Sequence, residues 1–194
     1  MATITFVRHG NTDFNLEKRA QGHMHNPLNE TGRKQAAAVA QRLTEEQWDI
    51  LVSSDLLRAK ETAEIISSAL GMPISQYDTR LREIYRGQVE GTTEEERIEK
   101  WGKDWILLDL NEESHESVRE RGMSFVNDIA EHYPGKKILV ISHGFLIGQT
   151  LKGLLQDDST GSDLHNTSVT TIIKNGGHWE YKLYNCIKHT ASND

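Results

Sequence analysis

Arg8-His9-Gly10 follows directly on the apolar run Ile4-Thr5-Phe6-Val7. A strand that ends this way presents a cation, an imidazole and an unobstructed backbone N–H at one point. That combination suits a phosphoryl group: imidazole can attack phosphorus, and the planar arginine fork matches phosphate oxygens. A second apolar run, Ile138-Leu139-Val140-Ile141, ends in Ser142-His143-Gly144 and starts a helical pattern. The first N–H groups of that helix and its dipole favour an anion. A third run ends in Val52-Ser53-Ser54-Asp55 and enters a helix that carries Arg58 in its first turn. One histidine after a strand is most simply a hydrogen-bonded core or turn residue. Two at equivalent strand ends, with Arg8 and Arg58 alongside, point to chemistry.

The elements that must position these residues follow from periodicity. Residues 2–8, 49–53, 137–142, 168–174 and 179–184 are rich in Ile, Val, Leu, Thr and aromatics and read as strands. Between them run helical stripes. Ala36, Val39, Ala40 and Leu43 recur at i, i+3, i+4 and i+7, with Thr31 placed to cap them. Leu56, Ala59, Ala63, Ile66 and Leu70 form a stripe that Gly71 and Pro73 stop. Val118, Gly122, Phe125, Val126, Ile129 and Tyr133 form another, stopped by Pro134-Gly135, and Phe145 to Leu155 a fourth. Strands alternating with helices predict an α/β domain with a largely parallel central sheet, whose ligands gather at the carboxyl ends of its strands. The charge-rich segment 92–117 reads as a helical excursion over that sheet. No repeat, low-complexity tract or Pro-rich linker marks a boundary, so residues 1–194 are expected to form one domain.

The bulk numbers bound the function. A chain of 194 residues can bury a proper core. A formal net charge of −7 argues against nucleic acid as partner, while a few arginines focused in a cleft still suit an anionic substrate. One cysteine, Cys186, excludes an internal disulfide framework and a Cys-based zinc site. There is no basic-then-apolar leader, and no apolar run approaches the roughly 20 residues that span a bilayer. A cytoplasmic protein with no membrane partner is the expectation.

With these residues in view, the chain resembles the histidine phosphatase superfamily, the phosphoglycerate mutase-like clan. Arg8-His9-Gly10-Asn11-Thr12 with Asn15 resembles its opening motif, and Gln21-Gly22, Pro27-Leu28, Thr31-Gly32 and Gln35-Ala36 its first loop and helix. Ser53-Ser54-Asp55-Leu56-Leu57-Arg58-Ala59 with Thr62-Ala63 resembles the arginine motif. Leu81-Arg82-Glu83-Ile84 with Gly87 and Glu90-Gly91 resembles the acidic loop, and Glu113-Ser114 and Val140-Ile141-Ser142-His143-Gly144 complete the order. The resemblance implies a three-layer α/β/α sandwich and a metal-independent phosphatase that needs no cofactor. His9 would be the nucleophile that becomes phosphohistidine, and Arg8, Arg58 and His143 would hold the phosphoryl oxygens. Glu83 would protonate the leaving alkoxide and then activate water. Asn15 and the Gly144 N–H are implied as further phosphate donors, with Gln21 and Gly22 in the phosphate-binding loop.

Other residues carry weaker expectations. His23 and Arg86 lie beside motif residues and are expected near the substrate, with His115 of similar standing. His23 and His25 sit i, i+2 in a loop, but no carboxylate or third histidine has matching spacing, so no metal site is expected. Trp101 and Trp105 read as a packing pair at i, i+4 on the excursion helix, and Val89 as a change in pocket wall. A phosphoglycerate mutase is the alternative reaction, and a non-catalytic phospho-ligand-binding module the alternative class. Mutases of the clan usually carry a longer insertion after the glutamate motif than the stretch between Gly91 and Glu113. A phosphatase acting on small-molecule phosphomonoesters is therefore expected, with a homodimer through an edge strand or exposed helix left open.

Overall fold

The computed structural model describes residues 2–157 and 164–190. In chain order its strands are β1 (Thr3–Arg8), β2 (Ile50–Ser53), β3 (Gln76–Tyr77), β4 (Lys137–Ser142), β5 (Val169–Asn175) and β6 (His178–Cys186). The α-helices are α1 (Asp13–Leu16), α2 (Glu30–Leu43), α3 (Leu57–Leu70), α4 (Glu94–Trp101), α5 (His115–His132) and α6 (Gly144–Leu155). The strands form one sheet in the order β3-β2-β4-β1-β5-β6. The first four are mutually parallel, and β5 runs antiparallel to both its neighbours.

Period-two alternation sorts the strand side chains into two cores. Ile4, Phe6, Val52, Ile138 and Val140 pack with Val118, Phe125 and Ile129 of α5 and Leu146, Ile147 and Leu151 of α6. Val7, Leu51, Leu139 and Ile141 pack on the opposite face with Val39 and Leu43 of α2 and Ala59, Ala63 and Ile66 of α3. This is the expected three-layer sandwich. Central β4 is buried on both faces, which is why its sequence is an unbroken apolar run.

Two helix boundaries and one short strand depart from the sequence reading. Asn29, not Thr31, caps α2: its side chain accepts from the Gly32 N–H at 2.8 Å, and Thr31 lies inside the first turn. The two-residue strand β3 is exposed and too short to carry a period. The segment 92–117 is α-helical over only α4 before α5 begins. Thr93 and Glu96 start α4 with a reciprocal capping box, and Gly102 at φ +87° ends it. Trp105 therefore sits in a separate 3-10 turn, Trp105–Leu107, off the helix face of Trp101. No helix among the described residues is long and apolar enough to cross a membrane.

Candidate active site

The parallel register aligns the ends of three strands. Arg8 pairs with Ser142, and Ser53 with Ile141, so His9, Ser54 and His143 emerge together at one edge of the sheet. His9 and His143 lie with ring centroids 5.2 Å apart, and both are buried. Above them opens a cleft of about 340 Å³ whose walls include Arg8, His9, Asn15, Gln21, Gly22, Arg58, Glu83 and Arg86.

Hydrogen bonds define the tautomer of His9. Its Nδ1 is 2.7 Å from the Gly10 carbonyl oxygen, which can only accept, so Nδ1 carries the proton. The lone pair is left on Nε2, toward which Arg58 Nε donates at 3.3 Å. Burial, then Arg58 and Arg8, push the His9 pKa well below the ordinary 6.5, with the Gly10 hydrogen bond opposing. The imidazole is neutral at neutral pH.

Arg58 is fully buried, and its other two nitrogens donate to the carbonyls of Met24 at 3.1 Å and Gly22 at 2.9 Å. Burial lowers its pKa to about 10, against the attraction of Glu83, so it keeps its charge at neutral pH. Arg8 Nη1 donates to the Leu164 carbonyl, and Arg8 Nε is a buried donor without a protein partner. Gly144 lies against this guanidinium, since a Cβ there would come within 3.3 Å of Arg8 Nε. His143 Nε2 is 2.8 Å from Ser54 Oγ, which also accepts from the Leu56 N–H at 3.3 Å. The Ser54 hydroxyl can donate to Nε2 or accept from it, and His143 Nδ1 is likewise buried without a partner. An unpaired arginine N–H and an unpaired imidazole nitrogen beside a neutral His9 fit an anion.

The local accounting differs from the sequence reading at two places. The Gly10 N–H is not unobstructed: it donates to Thr62 Oγ1 at 3.1 Å, and it is the Gly10 carbonyl that serves His9. At the start of α6, the Phe145 and Leu146 N–H groups donate to the Glu83 carboxylate at 3.3 and 3.1 Å. The anion held by that helix terminus is a side chain of the protein itself.

Asn15 lines the cleft, and its Oδ1 accepts from the Thr12 N–H at 3.2 Å. His143 and Gly144 are not on the cleft wall but lie directly beneath it against His9 and Arg8. His23 is also off the wall, with Nε2 2.8 Å from the Glu83 carbonyl. His115 packs edge-on against Phe145 and lines an adjoining cavity that shares Arg86 and Trp105 with the cleft. Val89 is in the cleft wall, as its sequence position indicated.

Several wall residues escaped sequence reasoning. Lys18, Arg19 and Arg97 ring the mouth, and Trp105 forms a side wall, where packing alone was expected. The Arg97 guanidinium stacks 5.0 Å from the Trp105 ring centroid. Asn166, in the loop before β5, donates to the His9 carbonyl at 3.0 Å. Only the Arg97–Trp105 pairing left a signal, as charge and aromatic residues in one segment. Among the described residues, no group of three or more His, Cys, Asp or Glu side chains could hold a metal ion.

A neutral buried imidazole flanked by arginines at the carboxyl ends of parallel strands defines a phosphoryl-transfer class of protein. Residues 4–187 match the family model of the histidine phosphatase superfamily, branch 1, and the chain belongs to that family. It is 35% identical over 193 residues to PhoE of Bacillus subtilis, an uncharacterised phosphatase, covering 98% of each chain. It is 31% identical to a metal-independent phosphoserine phosphatase of Arabidopsis thaliana, covering 97% of this chain and 83% of that one. It is 34% identical to a probable phosphoglycerate mutase, GpmB, of Salmonella paratyphi A, covering 92% and 88%. Among solved structures, YhfR of Bacillus stearothermophilus superposes with a TM-score of 0.87 at 29% identity, covering 97% and 99%.

Proposed function

We propose that this protein is a metal-independent phosphatase that hydrolyses small phosphomonoesters through a phosphohistidine on His9. The observation that carries the reading is the His9 tautomer: a proton on Nδ1 and a lone pair on Nε2 in a site whose arginines keep the ring neutral. Phosphatases among its relatives support the reaction class, and the size of the cleft supports a compact substrate.

In the first half-reaction His9 Nε2 forms a bond to phosphorus as the bond to the ester oxygen breaks. Arg8, Arg58 and the His143 Nδ1–H stabilise the charge on the three equatorial oxygens. The leaving oxygen takes a proton from Glu83 and departs as an alcohol. In the second half-reaction water attacks the phosphohistidine, Glu83 takes the water proton, and phosphate and neutral His9 are regenerated. Asn15, Gln21, Gly22 and Arg86 bound the space for the ester.

The test is phosphate release from a panel of phosphomonoesters with a chelator present, for the wild type, His9→Ala and Glu83→Gln. The expected result is turnover that is indifferent to chelation and abolished in His9→Ala. Full activity in His9→Ala, or loss of wild-type activity on chelation, would overturn the mechanism. Interconversion of phosphoglycerates without net phosphate release would mark a mutase instead. Binding of phosphorylated ligands without turnover would mark a non-catalytic module.

A further inference from the structure

Behind Glu83 lies a polar assembly that makes no contact with the phosphoryl site. Arg121, on α5, directs its whole guanidinium at the loop that carries Glu83. Nη1 donates to the Arg80 carbonyl at 2.7 Å and the Arg82 carbonyl at 2.5 Å, and Nη2 to the Glu83 carbonyl at 3.0 Å. Nε and Nη2 also grip Glu113 in a two-point ion pair at 2.8 and 2.9 Å. Glu113 continues the clamp on the other side of Glu83: its carboxylate accepts from the Tyr85 N–H at 3.2 Å, and its own N–H donates to the Tyr85 carbonyl at 2.9 Å. Burial works to raise the Glu113 pKa, but the hydrogen bonds from Arg121 and Ser117 outweigh it and hold the carboxyl below its usual range.

The loop has no regular structure of its own and is fixed by side chains, with His23 on the Glu83 carbonyl and Arg82 paired with Asp55 on one side and Arg121 and Glu113 on the other. Thr79–Leu81 is a single 3-10 turn, and residues 82–86 belong to no helix or strand. Yet the Glu83 carboxyl must meet the Ile84, Phe145 and Leu146 N–H groups while facing the cleft. A half-buried arginine fork that binds the carbonyls of Arg80, Arg82 and Glu83, and a carboxylate bonded to Tyr85, set the backbone from which Glu83 projects.

We infer that the Arg121–Glu113 ion pair is the positioning device of the proton donor: it fixes the backbone of residues 82–85 so that the Glu83 carboxyl reaches the leaving oxygen. Both residues act through Glu83 and touch neither substrate nor phosphoryl group. The inference rests on the reading of Glu83 as proton donor. It also makes a separable demand, because a misplaced acid slows only those esters whose leaving group needs a proton.

The experiment compares single-turnover cleavage of an alkyl phosphate, whose alkoxide must be protonated, with that of a nitrophenyl phosphate, whose phenolate leaves unaided. Arg121→Met is expected to slow alkyl ester cleavage at least about tenfold, a part of the 10²–10⁴ that a positioned acid contributes. Nitrophenyl ester cleavage and competitive inhibition by phosphate are expected to stay within about twofold of wild type. Glu113→Gln, nearly isosteric, carries the same test should Arg121→Met fail to fold. Equal losses on both esters, or none on either, overturn the positioning role. Glu83→Gln is measured alongside. If it shows no leaving-group dependence, the assignment of the acid fails and the inference with it. If it shows that dependence and the pair variants do not, only the positioning role fails.

Discussion

His9 Nδ1 donates its proton to the carbonyl oxygen of the next residue, Gly10, at 2.7 Å. This contact within one dipeptide puts the ring proton on Nδ1, because a carbonyl has no proton to give, and leaves the lone pair on Nε2. The Gly10 N–H is held separately, by its bond to Thr62 Oγ1. Thr62 in turn donates to the Arg58 carbonyl at 2.8 Å, so His9 and Arg58 share one frame.

The depressed pKa of His9 has a consequence for pH. Activity is expected to persist on the acid side below pH 6.5, where an ordinary imidazole would be protonated, and kcat/KM measured against pH should show it. Stability moves the other way. His9 and His143 both have folded pKa values well below 6.5, from burial and then from Arg58. As pH falls below about 6.5 the unfolded chain binds protons that the folded chain refuses, so the folded state loses up to about 1.4 kcal/mol per pH unit for each group. Thermal unfolding between pH 7 and pH 5 should show the midpoint falling, and less steeply in His9→Ala.

Gly22 adopts φ +47°, and a Cβ there would come within 1.9 Å of Glu90 Oε1. That oxygen is bonded to the His23 and Arg86 N–H groups, and the Gly22 carbonyl receives Arg58. Gly22→Ala is therefore expected to cost about 1–3 kcal/mol in denaturant unfolding and to lower kcat/KM by displacing Arg58.

Arg58→Lys keeps the charge but not the fork. A single ammonium cannot serve His9 Nε2 and the Gly22 and Met24 carbonyls together, so one buried acceptor or the phosphoryl group loses its donor. Steady-state kinetics should show kcat lower by about 10²–10³, the scale seen for loss of one transition-state donor.

The mouth of the cleft is basic although the chain as a whole carries −7. Lys18, Arg19, Arg86 and Arg97 focus positive potential at the entrance, although Arg19, Arg86 and Arg97 also pair with glutamates. Long-range steering of this kind is screened within about 10 Å at 0.1 M salt. With an anionic ester, kcat/KM should fall as salt rises, and Lys18→Glu should lower the low-salt value and flatten the dependence.

What the sequence made legible follows from how locally each feature is encoded. The run Ile138–Ile141 must be a buried strand, and the residue after such a strand must lie at a sheet edge, so His9 and His143 could be placed together from the sequence. Trp105 was not, because Gly102 turns the chain out of the helix that would have put it beside Trp101. Thr31 was read as the cap where Asn29 serves, because both residue types cap well and only the path of the chain entering α2 decides between them. Arg121 was invisible as a partner of Glu83, since its contacts are to backbone carbonyls some 40 residues earlier and carry no side-chain pattern. The hydrogen bonds that occupy the Gly10 N–H and the first turn of α6 likewise depend on Thr62 and Glu83, which only the tertiary structure brings there.

The central claim is that His9 itself carries the phosphoryl group. The direct measurement is rapid quench of the wild-type protein with substrate under non-acidic conditions, followed by proteolysis and mass spectrometry of the peptide that contains His9. One phosphoryl group is expected on His9, forming and decaying at rates compatible with turnover and absent from His9→Ala. Turnover with no phosphorylated protein at any time, or a phosphoryl group on a different side chain, would contradict it.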